Sequence, residues 1–311
     1  MEYNYRGCSV MNAREYLNKC RAGRVSLVCD KETEKELIPY LTRAVDKNSD
    51  IDMYAFANVL YSYGDLKEKH KAFKIICDLS EKGFVPSYNQ YGIVLSDGIC
   101  VDRDYAAAVR MFEKASKGGF IVAVYNLGYC YLKGLGVKAD YEKGIALVKE
   151  AAEYGLNRAL HALGVAYYKG DFGFPQDFER AYEYFSEAAM QEHPKSLHML
   201  AGMLYNGEGC ERNPARALNN YKLAAVYGVV NAQAMAAEML CKGKEVTKDL
   251  IAGCHFLEMA ANNGDVISMY NLGVRIHNRD FYWIDASEAR GWIKKAADAG
   301  DADAKELLKR L

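Results

Sequence analysis

Apolar and small residues recur along the chain with the period of an α-helix, and this pattern itself returns about every 36 residues. Ala123, Leu127 and Tyr131 are four residues apart, so they share one face of a predicted helix. Gly128 beside them leaves room for a neighbouring helix to approach closely. A glycine-containing turn follows, and Asp140 can then cap a second helix. Each unit therefore predicts a helix, a turn and a second helix.

Four series of residues hold this pattern in register. The longest has seven members at steps of 36, 36, 37, 36, 36 and 36 residues, and the glycine series has no member in the fourth unit. Small residues in the second helices are Ala72, Ala108, Gly144, Ala181, Ala217, Gly253 and Ala289, with Ala115, Ala151, Ala188, Ala224, Ala260 and Ala296 further along. The predicted N-caps are Asp104, Asp140, Asp177, Asn213, Asp249 and Asp285. The predicted left-handed C-terminal caps are Gly83, Gly119, Gly155, Gly228, Gly264 and Gly300.

The pattern departs from itself at three places. Residues 171–175 contain a one-residue insertion in the turn of the fourth unit. The same unit ends with Glu192, His193 and Pro194 instead of a glycine. In the last unit, Arg279 stands where the turn glycine is expected.

Several motifs of the third unit resemble the Sel-1-like repeat, a relative of the tetratricopeptide repeat. They are Leu127-Gly128, Tyr131, Gly134-x-Gly136-Val137, Asp140, and Ala151-Ala152 with Gly155. The resemblance covers roughly residues 51–303 and is weakest in the first repeat, where Asn58 replaces the glycine. It implies an all-α fold, an α/α superhelix or right-handed solenoid of about seven tandem helix-turn-helix repeats, whose first helices line a concave groove.

The repeats divide the chain into three predicted parts. Residues 1–50 form an N-terminal helical cap, with a helix over 32–47, and residues 304–311 form a C-terminal capping helix. In that last helix Leu307, Leu308 and Leu311 are expected to face inward. The seven repeats between the caps are expected at about 51–86, 87–122, 123–158, 159–195, 196–231, 232–267 and 268–303.

Charge and composition narrow the classes of partner. With 40 basic and 41 acidic residues the net charge is −1, which disfavours nucleic acid and anionic membranes as partners. No apolar stretch approaches the roughly 18 residues of a membrane span. The 9 cysteines do not recur once per repeat, so a disulfide ladder is not expected and a reducing, cytoplasmic setting is.

By analogy with tetratricopeptide repeats, eleven side chains of the first helices are expected to face the groove and contact a partner. These partner-binding candidates are Asn89, Tyr125, Tyr129, His161, Tyr168, His198, Tyr205, Asn206, Glu238, Tyr270 and His277. Tyrosine suits this role, because it offers a large contact area, few rotatable bonds and one polar group. The competing interpretation is that most of these tyrosines pack in the core.

No catalytic residue, metal ligand or cofactor is expected. His161 and His198 are equivalent positions of successive repeats and could approach each other, but zinc needs further ligands that do not follow at the right spacing. His255 and Glu258 lack the second histidine of a zinc-protease motif. Cys241 and Cys254 lie on opposite helices of the sixth repeat and could approach.

Together these features predict a non-enzymatic interaction module that binds another protein, as a peptide or a helix, in its groove. Two alternatives stay open at this point. One is a secreted effector-type protein that binds host proteins through the same kind of surface, and the other is a hydrolase built on the solenoid.

Overall fold

The computed structural model describes Ile38, Thr42, Arg43 and residues 45–311. The predicted N-terminal cap over residues 1–50, with its helix over 32–47, lies largely outside the described residues. The described part of the chain holds fifteen α-helices and no strand, which confirms the all-α class. In chain order they are α1 (Asp50–Tyr63), α2 (Leu66–Glu81), α3 (Val85–Asp97), α4 (Tyr105–Lys117), α5 (Ile121–Lys133), α6 (Tyr141–Glu153), α7 (Asn157–Lys169), α8 (Phe178–Met190), α9 (Pro194–Asn206), α10 (Pro214–Val226), α11 (Val230–Lys242), α12 (Leu250–Asn262), α13 (Val266–His277), α14 (Ser287–Asp298) and α15 (Ala302–Leu308).

The chain forms two compact units, Met1–Ala159 and Leu160–Leu311, and the boundary falls inside α7. In the first unit α1 pairs with α2, α3 with α4 and α5 with α6, and each pair packs on the next. In the second unit α9 pairs with α10, α11 with α12 and α13 with α14, again with contacts between successive pairs. Both units therefore follow the predicted plan of consecutive helix pairs.

Side-chain capping starts the second helices as predicted at five of the six positions. Asp104, Asp140, Asp177, Asn213 and Asp249 each accept a hydrogen bond from the backbone N–H three residues later. The prediction for Asp285 is wrong, because α14 begins at Ser287 after Ala286, which makes no side-chain capping bond. Asp285 instead accepts a hydrogen bond from the Ser287 N–H at 2.9 Å, in the loop before the helix.

The predicted left-handed caps are confirmed, since all six C-terminal glycines have φ between +75° and +108°. Non-glycine residues adopt a left-handed backbone at all three places where the pattern departs from itself: Phe172 has φ 54°, Glu192 has φ 58° and Arg279 has φ 65°. The last two stand where a glycine is expected. Left-handed φ costs an L-residue roughly 1–2 kcal/mol. The chain therefore makes the same left-handed turn at these two positions without a glycine.

Small residues sit where helices cross, as the repeat pattern predicts. Ala108, Ala151, Ala188 and Ala224 are completely buried. A Cβ added to Gly128 of α5 would lie 3.0 Å from the carbonyl oxygen of Gly144 in α6. The backbones of these two helices therefore approach each other at a place where a larger side chain does not fit.

A turn glycine also joins successive helix pairs. Gly136, in the turn between α5 and α6, lies against the first residue of α4, so that a Cβ there would overlap the Tyr105 carbonyl group and lie 2.6 Å from the Ala106 nitrogen. Gly209 of the second unit makes the equivalent approach to the Phe178 carbonyl group. The turn of one repeat therefore contacts the backbone of the preceding repeat.

The end of the second unit is covered by a short helix. Leu307 and Leu308 of α15 pack against the buried Ile293 and Ala296 of α14. Leu311 is 38% exposed, so the prediction that it faces inward is wrong, because α15 ends at Leu308 and the last residues leave the packed face. The capping role of the segment rests on Leu307 and Leu308.

Candidate protein-binding site

The eleven predicted groove residues all lie on the first helices of the repeats, but they differ in exposure. Tyr129, Asn206, Glu238 and His277 are exposed. Half-buried members are Tyr125, His161, Tyr168, His198, Tyr205 and Tyr270. Asn89 is only 2% exposed, and its side-chain oxygen accepts a hydrogen bond from the Asn126 amide at 2.8 Å. Asn89 therefore joins α3 to α5 and lies beneath the surface that a partner would reach.

The second unit brings several candidates into one polar and aromatic surface. The Tyr168 hydroxyl donates to the Glu208 carboxylate at 2.8 Å, and the Asn206 amide donates to the same carboxylate at 3.1 Å. Tyr205 and Glu238 are close enough that the negative charge of Glu238 raises the tyrosine pKa. We call Tyr168, Tyr205, Asn206, Glu208 and Glu238 the tyrosine row.

The buried Tyr221 on α10 shows that the row is contiguous. Burial, followed by the charges of Tyr205, Glu208, Glu238 and Tyr168, raises the Tyr221 pKa to about 12. One buried ring is thus within electrostatic range of four members of the tyrosine row, which come from α7, α9, α11 and the turn after α9. The row spans three successive repeats of the second unit.

Charged partners fix the orientation of Tyr205. Its hydroxyl donates a hydrogen bond to Glu245, and this bond is the main cause of its raised pKa. The Arg212 guanidinium lies 5.5 Å from the centre of the Tyr205 ring and forms an ion pair with Glu245. A cation over the ring face and a carboxylate at the hydroxyl hold the side chain in one direction.

The tyrosines of the row are neutral at physiological pH, because the ordinary tyrosine pKa of about 10 is already well above 7 and is raised further here. The Tyr168 pKa is raised first by burial and then by its hydrogen bond to Glu208. The Tyr205 pKa is raised as well. Both hydroxyls therefore remain donors, and each leaves its oxygen lone pairs available to a partner.

The first unit offers a smaller aromatic surface on α5. Tyr129 is 45% exposed, the largest exposure among the predicted tyrosines of the groove. Burial raises the pKa of the neighbouring Tyr125, the Arg158 charge lowers it, and the proximity of Tyr129 raises it. Tyr129 thus stands at the surface over a partly covered Tyr125.

The histidine pair predicted from repeat register is wrong. His161 lies beside His193, with ring centres 4.9 Å apart, and each Nδ1 atom is 2.9 Å from the Ser196 hydroxyl oxygen. His198 instead packs 5.5 Å from the Tyr221 ring. The cause is the replaced glycine of the fourth repeat, which puts His193 at the N-cap of α9.

Burial suppresses the protonation of both predicted histidines. The His161 pKa is lowered to about 4, first by burial and then by the charges of His193 and Lys195. Burial alone lowers the His198 pKa. Both rings are therefore neutral near pH 7. His161 is hydrogen-bonded to Ser196, whereas His198 packs against the Tyr221 ring.

The other chemical candidates are separate side chains. Among the described residues, no three His, Cys, Asp or Glu side chains are grouped so that they could hold a metal ion. Cys254 donates to Glu258 at 3.6 Å, and its thiol pKa is raised by burial, by Glu258 and by the nearby Cys241. Cys241 and Cys254 do approach each other as predicted, and both are free thiols. Within the described ranges, no helix is both long and apolar enough to cross a membrane.

Known proteins share the repeat. The pattern described as the Sel1 repeat matches residues 85–120, 121–155, 157–193, 194–225, 230–265 and 266–301. The chain belongs to the Sel1 repeat family. The match includes six of the seven predicted repeats and leaves out the first helix pair, α1 and α2, where the resemblance is weakest. Sel1 repeat proteins generally mediate protein–protein interactions.

Two solved Sel1 repeat structures are similar to the chain. One is c5321, a protective antigen of uropathogenic Escherichia coli strains with an SLR fold, at 27% identity and a TM-score of 0.69; the comparison covers 96% of this chain and 59% of that protein. The other is a Sel1 repeat protein from Oxalobacter formigenes, at 26% identity and a TM-score of 0.67, covering 79% of this chain and 99% of that protein. They confirm the helical-repeat superhelix class.

A curated relative shares a shorter stretch. Chitin synthase regulatory factor 3 of Schizosaccharomyces pombe is 31% identical over 125 residues. The shared stretch is 39% of this chain and 13% of that protein. The likeness therefore concerns a small part of the regulatory factor.

Sequence reasoning missed the residues that orient the tyrosines. Glu208 lies between two turn glycines of the fifth repeat, and Glu245 lies in the equivalent turn of the sixth. Arg212 precedes the α10 cap. One feature of the sequence could have indicated these contacts. The turns of successive repeats carry carboxylates beside the ends of the first helices, where they can reach the tyrosines.

Proposed function

We propose that the chain is a non-enzymatic adaptor or regulatory subunit that holds an extended peptide or a helix of a partner protein along its first helices. The tyrosine row is the observation that carries this proposal. It presents two aromatic rings, an amide and two carboxylates on successive repeats. Such spacing suits a ligand that runs across several repeats.

The internal hydrogen bonds of the row support a binding role on energetic grounds. A partner loses affinity when its binding must immobilise rotamer-rich side chains, at about 0.5–1.5 kcal/mol each. Tyr168 and Tyr205 are already held by Glu208 and Glu245. Little of this entropy cost remains for the binding step.

Two further observations agree with the proposal. The S. pombe relative is named a regulatory factor, and a regulatory subunit acts by binding. Six described cysteines are free thiols, which supports the reducing, cytoplasmic setting expected from the sequence.

The experiment that tests the proposal selects ligands from a phage-displayed random peptide library on the full chain. The selected peptides are then measured against Tyr129→Ala and Tyr205→Ala by fluorescence anisotropy. Truncation of a binding hot spot costs about 1–2 kcal/mol or more, so we expect roughly 5- to 30-fold weaker binding for at least one variant. Tyr154→Ala is the matched control, because Tyr154 is 70% exposed and lies outside the predicted groove.

The expected control result is unchanged affinity for Tyr154→Ala and parent-like helix content for all three variants. If peptides bind Tyr129→Ala and Tyr205→Ala as tightly as the parent, the first-helix surface is not the binding site. A loss of folding in Tyr205→Ala would be resolved with Tyr205→Phe, which keeps the ring and removes only the hydroxyl.

A further inference from the structure

Another candidate surface lies in the second unit, and it meets the first-helix candidates at Glu245, which lines it and accepts a hydrogen bond from Tyr205. It is a cleft of about 1060 Å³ bounded by α10, the turn between α11 and α12, the start of α12 and the loop between α13 and α14. Its lining includes Lys222, Lys244, Lys248, Ile251, Tyr282 and Trp283, which we call the Trp283 cleft. Its volume is at the upper end of ligand sites and is sufficient for a short chain segment.

The loop that carries Tyr282 and Trp283 is anchored. Phe281 is completely buried and lies 5.9 Å from the Arg275 guanidinium, which also forms an ion pair with Asp280 at 3.1 Å. The chain enters this loop through Arg279, in the left-handed backbone conformation. The loop therefore has a defined course, and its two remaining aromatic side chains are directed outward by that course.

These outward aromatic side chains are exposed together. Tyr282 is 77% exposed and Trp283 is 41% exposed, with the two rings 5.1 Å apart in an edge-to-face contact. Ile251, which also lines the cleft, is 72% exposed. Large apolar side chains grouped at a rim of polar residues are typical of interaction sites.

The charge of the cleft indicates the chemistry of its partner. Lys222, Lys244 and Lys248 form no ion pair within 4 Å in the described part of the chain. The two acidic residues of the lining are already engaged: Glu245 pairs with Arg212, and Asp249 caps α12. Three cations are thus available to a ligand, whereas both carboxylates are engaged.

We propose that the Trp283 cleft docks an acidic, extended segment of a partner protein, with one apolar side chain against Trp283 and carboxylates at the three lysines. Charge complementarity favours this occupant. The exposed aliphatic side chain of Ile251 suits an apolar side chain of a protein segment better than a nucleotide, so a protein segment fits better than a nucleic acid. The cleft shares Glu245 with the surroundings of Tyr205, but no residue of the tyrosine row lines it, so the proposal does not depend on that row.

The test uses a fluorescein-labelled peptide in which glutamates flank one phenylalanine and one leucine, with the full chain and anisotropy as the readout. We expect binding that weakens as salt rises. The double charge reversal Lys244→Glu with Lys248→Glu is expected to weaken it about tenfold or more. Trp283→Ala is expected to weaken it about fivefold or more.

Matched controls separate this surface from general charge effects. Lys117→Glu with Lys138→Glu changes the net charge by the same amount at exposed lysines of the first unit, and it should bind the peptide as the parent does. A peptide with glutamine in place of glutamate should bind weakly to the parent. Tyr129→Ala should bind normally, so that failure of the first-helix proposal and failure of this one are distinguishable.

Several results would overturn the proposal. They are equal binding of the charged peptide to the Lys244→Glu, Lys248→Glu variant, equal binding of the glutamine peptide, and displacement of the peptide by single-stranded DNA. Self-association of the parent that Trp283→Ala abolishes would identify a second copy as the occupant and would also overturn it. The exposed lysines keep the test valid even if Trp283→Ala fails to fold.

Discussion

Gly136→Ala should disrupt the contact between one repeat and the repeat that precedes it, and so lower the stability of the first unit. Gly136 has φ 69°, and an added Cβ would overlap the Tyr105 carbonyl group at the start of α4. The atoms in the way belong to the backbone of a helix, so they cannot rotate aside as a flexible side chain would. The first turn of α4 must therefore move away from the turn between α5 and α6.

The expected loss of stability has two parts. The left-handed conformation costs alanine roughly 1–2 kcal/mol. Overpacking against the α4 backbone adds roughly 1–3 kcal/mol, so the total is about 2–5 kcal/mol. Gly119→Ala provides the matched control, because Gly119 has φ 81° in the same unit and an added Cβ there would meet no atom within 4 Å.

The assay is urea unfolding followed by far-ultraviolet circular dichroism, analysed by linear extrapolation. Gly119→Ala should lose only the conformational part, roughly 1–2 kcal/mol. Gly136→Ala should lose roughly 1–3 kcal/mol more than that. Equal losses in the two variants would show that the turn does not bear on the preceding repeat, and the stacking argument would be refuted.

Three further predictions concern packing, pH and strain. Ala188→Leu should cost about 1–3 kcal/mol of unfolding free energy, because Ala188 is completely buried, while Met190→Leu, at 78% exposed, should be neutral in the same urea titration. The His161 pKa is lowered from 6.5 to about 4, so the stability that neutral His161 contributes is fully present above pH 6.5. As the pH falls from 6.5 toward 4, the unfolding free energy should decrease by about 3 kcal/mol. His161→Gln should flatten this part of the pH profile of stability. Arg279→Gly should raise the unfolding free energy by about 1 kcal/mol, because it relieves the left-handed φ.

Each of these expectations has a contrary result. An unchanged urea midpoint for Ala188→Leu would place that residue away from a helix crossing. Parallel pH profiles of His161→Gln and the parent would show that His161 is not held neutral by the fold. A less stable Arg279→Gly would mean that the arginine side chain contributes more than its backbone conformation costs.

Local chemistry explains why most of the fold could be predicted. An aspartate that caps a helix, such as Asp140, accepts a hydrogen bond from a backbone N–H three residues later. A glycine such as Gly119 is favoured because the backbone there has a positive φ. Both signals are read within a few residues of the chain. Where the local signal changed, at Arg279, the following helix α14 begins later than the predicted Asp285 cap would place it.

The candidate site was harder to predict, because its properties depend on contacts between repeats. Repeat register placed Asn89 on the correct helix, but it did not show that Asn126 of the next repeat covers it. The same reasoning paired His161 with His198, whereas the substitution that introduced His193 decided the contact. Side-chain neighbours across repeats require the three-dimensional structure.

Photocrosslinking tests most directly the central claim that the first helices hold the partner. Benzoylphenylalanine is placed in turn at Tyr129, Tyr205 and the exposed Tyr154, and each protein is irradiated with a peptide selected on the parent chain. We predict crosslinks from position 129 or 205 and none from position 154. Crosslinks from position 154 alone, or equally from all three positions, would contradict the account.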